Sequence, residues 1–244
     1  MLPLALSLSV LIGVSLGLLG GGGSILTTPI LMYALNVEPR AAIATSLLVV
    51  GITSVAGAMQ HAARGDVAFK EGFIFGAAGM VGAYVGGRAA ALVPTGALMA
   101  MFVGMMLATA AAMFRGRREV SAVAPSPLYK TLLLGAGVGA IAGLVGAGGG
   151  FLIVPALSLF GGLPMRRAVG TSLLVISLNS FAGFAGHLHD APIDWSLAAE
   201  VCSAAVVGSF IGGWLSTRVA PAALRRGFAG LVLAMAAFVI YRQI

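Results

Sequence analysis

Gly20-Gly21-Gly22-Gly23-Ser24-Ile25-Leu26-Thr27-Thr28-Pro29 returns later in the chain as Gly146-Ala147-Gly148-Gly149-Gly150-Phe151-Leu152-Ile153-Val154-Pro155. The offset of 126 holds well beyond the glycines: Arg40 maps to Arg166, Thr45-Ser46-Leu47-Leu48 to Thr171-Ser172-Leu173-Leu174, His61 to His187, and Gly86-Gly87 to Gly212-Gly213. The chain is therefore an internal duplication, with a first repeat over 1–118, a basic linker and helix start over 119–134, and a second repeat over 135–244. In an apolar chain, two related halves are a recurring plan of secondary transporters.

Of the 244 residues, 59% are hydrophobic and 9% charged. A soluble globule carries about a quarter charged residues, so the bilayer is the solvent here. The net charge of +7 then marks cytoplasmic loops, not a nucleic-acid surface. Cys202 stands alone, which excludes an intrachain disulfide. The apolar run 2–19 lacks a preceding basic residue and recurs in the second half, so it reads as a retained helix, not a signal peptide.

Apolar runs fall at 2–35, 41–61, 72–93 and 95–114, then at 131–160, 168–187, 196–219 and 222–241. The first run of each half is longer than the ~20 residues a spanning helix needs. Glycine cuts both long runs, and at ~1 kcal/mol per glycine relative to alanine a continuous helix there is strongly disfavoured. If the long runs cross once, the basic residues divide seven against seven. If the chain reverses at the glycines, eleven lie on one side (Arg64, Lys70, Arg115, Arg117, Arg118, Lys130, Arg166, Arg167, Arg218, Arg225, Arg226) and three on the other (Arg40, Arg88, Arg242). The positive-inside rule selects reversal. Each half then has an odd number of crossings and the halves are inverted, with both termini outside. The expected fold is an all-α polytopic membrane protein of two inverted halves, each a glycine-broken hairpin followed by three transmembrane helices. The arm from Ser24 to Leu35 is about 18 Å long at 1.5 Å per residue, which favours partial re-entry.

A broken helix inside a membrane leaves backbone N–H groups that lipid cannot satisfy, so it must line protein or a wet cavity. Gly20, Gly21, Gly22 and Gly23 with Ser24, Thr27 and Thr28, and Gly146, Gly148, Gly149 and Gly150 of the second half, are the candidate substrate site. The helices resuming there offer free N–H groups and positive dipole ends to an anion; close helix packing is the alternative role for glycine, and it is the expected one for Gly86-Gly87 and Gly212-Gly213. Thr45, Ser46, Thr171 and Ser172 either line the path or bond back to the preceding turn. Asn179, opposite Thr53 in the repeat, places an amide in mid-span, where it binds substrate or a neighbouring helix. His61, His187 and Glu200 are candidates for proton coupling, against interfacial anchoring at span ends. His187-Leu188-His189-Asp190 has no distant fourth ligand, so neither a metal nor a cofactor is expected.

The two glycine motifs, each followed by an Ala/Gly-Thr-Ser-Leu segment, resemble the TauE/SafE family of membrane permeases, also called sulfite exporters, over essentially the whole chain. The resemblance implies a multi-pass carrier in a bacterial inner membrane for small anions, commonly sulfite, sulfoacetate or related organosulfonates. Members are usually drawn with seven or eight spans, from which the hairpin topology departs. The expected partners are that small anion and the bilayer, with no nucleic acid and with homodimer formation left open. The expected function is secondary transport by alternating access between the halves, with the substrate at the midplane. An anion channel is the alternative, and an intramembrane enzyme the remaining one, disfavoured because no nucleophile has a paired base.

Overall fold

The computed structural model describes residues 2–115, 128–145, 150–160, 162–188 and 192–243. Among these, the chain forms ten α-helices and no strand. The first half contains α1 (Leu2–Leu19), α2 (Gly22–Pro29), α3 (Pro39–Ala62), α4 (Phe69–Ala90) and α5 (Thr95–Arg115). The second contains α6 (Leu128–Val145), α7 (Gly150–Pro155), α8 (Met165–His187), α9 (Trp195–Ser216) and α10 (Pro221–Gln243). Five of them, α3, α4, α8, α9 and α10, are long and apolar enough to cross a membrane, and shorter apolar helices cover Ala5–Leu19, Thr95–Ala111 and Thr131–Val145.

The long first run is broken where the glycines predict. Gly20 takes φ +73°, in the left-handed region that closes helix ends, and its N–H bonds to Leu16 O at 2.8 Å. The chain then reverses: α2 folds back on α1, with Gly23 against the carbonyl of Ile12 and the side chain of Leu16. A Cβ at that glycine would collide with both groups. The helix resumes at Gly22, slightly earlier than the Ser24 expected from sequence. All eight residues of α2 are buried. It packs against α1, α3, α7 and α10, which is the protein lining a broken intramembrane helix requires. Pro29 and Pro155 each remove a helical donor, and each is followed by five π-helical residues, Ile30–Ala34 and Ala156–Phe160. The second glycine run, including Gly146, Gly148 and Gly149, lies outside the described residues.

The halves are interlocked. The first helix of each half packs on the fourth helix of the other: α1 on α9, and α6 on α4. These two interfaces share one register. Gly13 meets Ala205 O where Gly139 meets Gly79 O; Gly17 meets Ser209 O where Gly143 meets Ala83 O. Gly212 meets Val14 O where Gly86 meets Ala140 O. Small residues spaced by four let the backbones touch, which is how apolar helices associate where lipid removes the hydrophobic drive. The paired glycines Gly86-Gly87 and Gly212-Gly213 thus serve packing, as the sequence suggested.

At the centre α3 runs antiparallel to α8, with Leu47 against Gly183, Gly51 against Phe181 and Gly57 against Leu173. Under the repeat, Leu47 corresponds to Leu173 and Gly57 to Gly183, so the first and last contacts exchange with one another. The point that maps onto itself falls at Ile52 on α3 and at Leu178 on α8. Outside this core, α5 and α10 pack through Phe102, Met106, Phe228 and Val232, in one buried cluster with Ile25 of α2 and Val154 of α7.

Candidate functional site

The break is anchored by the opposite half. Ser172 Oγ on α8 lies 3.0 Å from Gly20 O and 2.7 Å from Val169 O. The start of α7 also touches the first hairpin, since a Cβ on Gly150 would lie 2.8 Å from Ser24 Oγ, 2.9 Å from Gly21 Cα and 2.8 Å from Ile176 Cδ1. The break of the first half therefore meets the second half at Ser172 of α8 and at Gly150 of α7, and Gly150 itself packs on Ile176 one turn further along α8.

Most of the hydroxyls picked out by sequence are engaged by carbonyls or by one another. Ser24 Oγ donates to Gly21 O (2.7 Å), Thr27 Oγ1 to Gly23 O (2.7 Å), Thr28 Oγ1 to Ser46 Oγ (2.9 Å) and Ser46 Oγ to Ile43 O (2.8 Å). Thr171 Oγ1 accepts the N–H of Ala68 at 2.9 Å, tying the start of α4 to α8. Thr45 is buried. A serine or threonine has one proton to donate. The protons of Ser24, Thr27, Thr28 and Ser46 are thus committed to the scaffold, and Thr171 joins it as an acceptor; the first N–H groups of α2 have no intrahelical acceptor and stand at the end of the helix where an anion is favoured.

One turn beyond Ile176 the pattern changes. Among the described residues, seven buried side-chain atoms lack a hydrogen-bond partner, and four of them belong to Asn179, Ser180 and Ser54. Asn179 is 1% exposed, and both its Oδ1 and its Nδ2 are unpaired. Ser54 and Ser180 are fully buried and are equivalents under the repeat. Each unpaired buried group costs about 1–3 kcal/mol. Helical spacing puts Ser54 on the stripe of Leu47 and Gly57, and Ser180 on that of Leu173 and Gly183, so both face the α3–α8 seam. Thr53, the counterpart of Asn179, instead donates to Val49 O at 2.6 Å. Asn179 fits because α4 opposite it has only Gly79, whose added Cβ would lie 2.6 Å from Nδ2.

The sequence reading missed Ser54 and Ser180. The signal was present, since the pair obeys the same 126-residue offset, but a lone mid-span serine usually bonds to its own helix.

The histidines are buried inside the protein, where an interfacial anchor was expected. His61 Nε2 lies 3.4 Å from Gly17 O, and His187 Nε2 2.9 Å from Gly143 O. Both carbonyls lie in the last turn of a helix that stops before a glycine run, where no intrahelical donor follows. His61 Nδ1 is 4.0 Å from Asp66 Oδ2. Glu200 sits partly buried on α9, above the exposed Trp195. His189 and Asp190 lie outside the described residues.

Residues 5–239 match the family described as "Sulfite exporter TauE/SafE". The chain belongs to that family. A "Probable membrane transporter protein" of Xylella fastidiosa (strain 9a5c) is 35% identical over 241 residues, covering 96% of this chain and 92% of that one. A protein of the same description from Bacillus subtilis (strain 168) is 26% identical over 208 residues, covering 83% and 85%, and one from Methanocaldococcus jannaschii is 28% identical over 195 residues, covering 77% and 73%. No solved structure gives a significant match. Membership of TauE/SafE, with five helices of spanning length, makes this a multi-pass membrane protein of a transporter family.

Proposed function

We propose that this TauE/SafE protein is a secondary transporter of small sulfur-containing oxyanions or organosulfonates in a bacterial inner membrane, working by alternating access between two inverted halves. The observation that carries the site is the group of unpaired polar atoms on Asn179, whose amide lies against Gly79 of α4, and on Ser180 and Ser54, which face the α3–α8 seam, all within about one turn of Ile176 or of its level on α3. Inversion is supported by the antiparallel α3–α8 pair, because a two-fold that exchanges antiparallel helices runs across them and so lies in the membrane plane.

Every described Lys and Arg lies near a helix end or in a loop. An anion at mid-span is then held by neutral donors and by the start of α2, with no countercharge. Such a cage suits a monoanion with several acceptor oxygens. A phosphate ester of higher charge would lose hydration that nothing there restores. The chain has no nucleotide-binding motif, so the driving force is a solute or ion gradient.

The test is uptake of sulfite, sulfoacetate and sulfate into proteoliposomes. Accumulation of a sulfur oxyanion above its external concentration supports the carrier. Flux that only equilibrates the gradient would make the protein a channel.

A further inference from the structure

We propose that the species held at Asn179, beside Gly79 of α4, is a singly protonated oxyanion, whose own O–H donates to Asn179 Oδ1 while a neighbouring oxygen accepts from Asn179 Nδ2. The inference rests on the sulfur-oxyanion reading and goes beyond it by naming the protonation state.

A fully deprotonated oxyanion offers acceptors alone. It could satisfy Asn179 Nδ2, which is unpaired, but it would leave Asn179 Oδ1 buried with no donor. An amide with both edges unpaired is complementary to a ligand that presents a donor beside an acceptor. Hydrogensulfite, in its O-protonated form, has that pattern, and the dianion sulfite does not. The absence of a countercharge points the same way, since removing a dianion from water is far costlier than removing a monoanion.

No protein group nearby supplies the proton. Thr53 and Asn179 are each eight residues from the histidine of their own helix, about 12 Å along the axis. On the elements packed against α8, the other titratable or charged side chains are Arg40 on α3, Lys70, Glu71, Arg88 and the exposed Tyr84 on α4, Tyr129 and Lys130 on α6, and Arg225, Arg226, Tyr241 and Arg242 on α10; α7 and the π-helical segment after it have none. Arg166 and Arg167 open α8 itself. Apart from Tyr84, all belong to helix ends. The substrate brings its own proton, and anion and proton cross together.

The test is equilibrium binding to purified full-length protein in detergent, read by calorimetry, with sulfite, hydroxymethanesulfonate and methanesulfonate as probes from pH 6 to pH 9. Hydrogensulfite loses its proton near neutrality, so its apparent affinity falls as pH rises through that ionisation and approaches a tenfold loss per unit above it. Hydroxymethanesulfonate, a monoanion with a permanent hydroxyl, binds with little pH dependence, and methanesulfonate, which lacks a donor, binds at least tenfold more weakly. Asn179→Thr, which installs the residue of the equivalent position, brings the two sulfonates within threefold of each other. Sulfite affinity that is level across the pH range, or equal binding of the two sulfonates to the unaltered protein, overturns the protonation assignment while leaving a sulfur-oxyanion site. Failure of all three probes to bind overturns the underlying reading and the assignment with it.

Discussion

His187 holds the carbonyl of Gly143 through Nε2 at 2.9 Å, three residues before the end of its span's partner helix gives way to glycine, and His61 repeats the contact on Gly17 at 3.4 Å. Each ring crosses from the second long element of a half to the end of its first. A broken helix in a membrane needs donors for its last carbonyls, and these histidines provide them.

His187→Ala is therefore expected to destabilise the protein by about 1–3 kcal/mol, the range for a buried acceptor left unpaired. His187→Gln, which keeps a side-chain N–H donor, recovers part of that loss. Thermal unfolding in detergent measures both. An alanine variant as stable as the parent but with its transport abolished would assign His187 to the transport cycle instead.

The packing glycines divide into two sets. At Gly139 an added methyl would strike the backbone of Gly79, whereas Gly137 and Gly227 have nothing within 4 Å of that position. Gly139→Ala is expected to cost about 1–3 kcal/mol from overpacking. Gly137→Ala and Gly227→Ala gain up to about 1 kcal/mol from helix propensity. A Gly139→Ala midpoint at or above that of Gly137→Ala contradicts the α4–α6 register.

Inversion has a direct chemical test, because Leu92 and Arg218 are equivalent positions under the repeat and both are exposed. Leu92→Cys, in a background with Cys202→Ala, is expected to react with an impermeant maleimide added to intact cells. Arg218→Cys reacts only after permeabilisation. Labelling of both from the same side would make the halves parallel.

Much of this architecture was legible in the chain because the duplication repeats every constraint. The glycine break and the role of Gly86-Gly87 follow from spacing and composition. The site was legible only in part. Asn179 announced itself as a mid-span amide, Ser24, Thr27 and Thr28 as hydroxyls beside the break, and Ser46 and Ser172 as residues that either line the path or bond back, while the bonds all five make to carbonyls and to one another became visible only in the fold. The bonds back to the preceding turn follow a local pattern, but the contact of Ser172 with Gly20 across 152 residues is tertiary, and no local pattern encodes it. The same holds for Thr171, whose partner Ala68 lies in the other half.

The most direct measurement is a diffraction experiment at the selenium edge on crystals of this protein soaked in selenite, the heavier analogue of sulfite. An anion held at Asn179 places the anomalous peak within hydrogen-bond reach of Asn179 Nδ2, beside Gly79 of α4, and Asn179→Thr removes or weakens it. A peak confined to the arginines at the helix ends, with none at Asn179, would contradict the account.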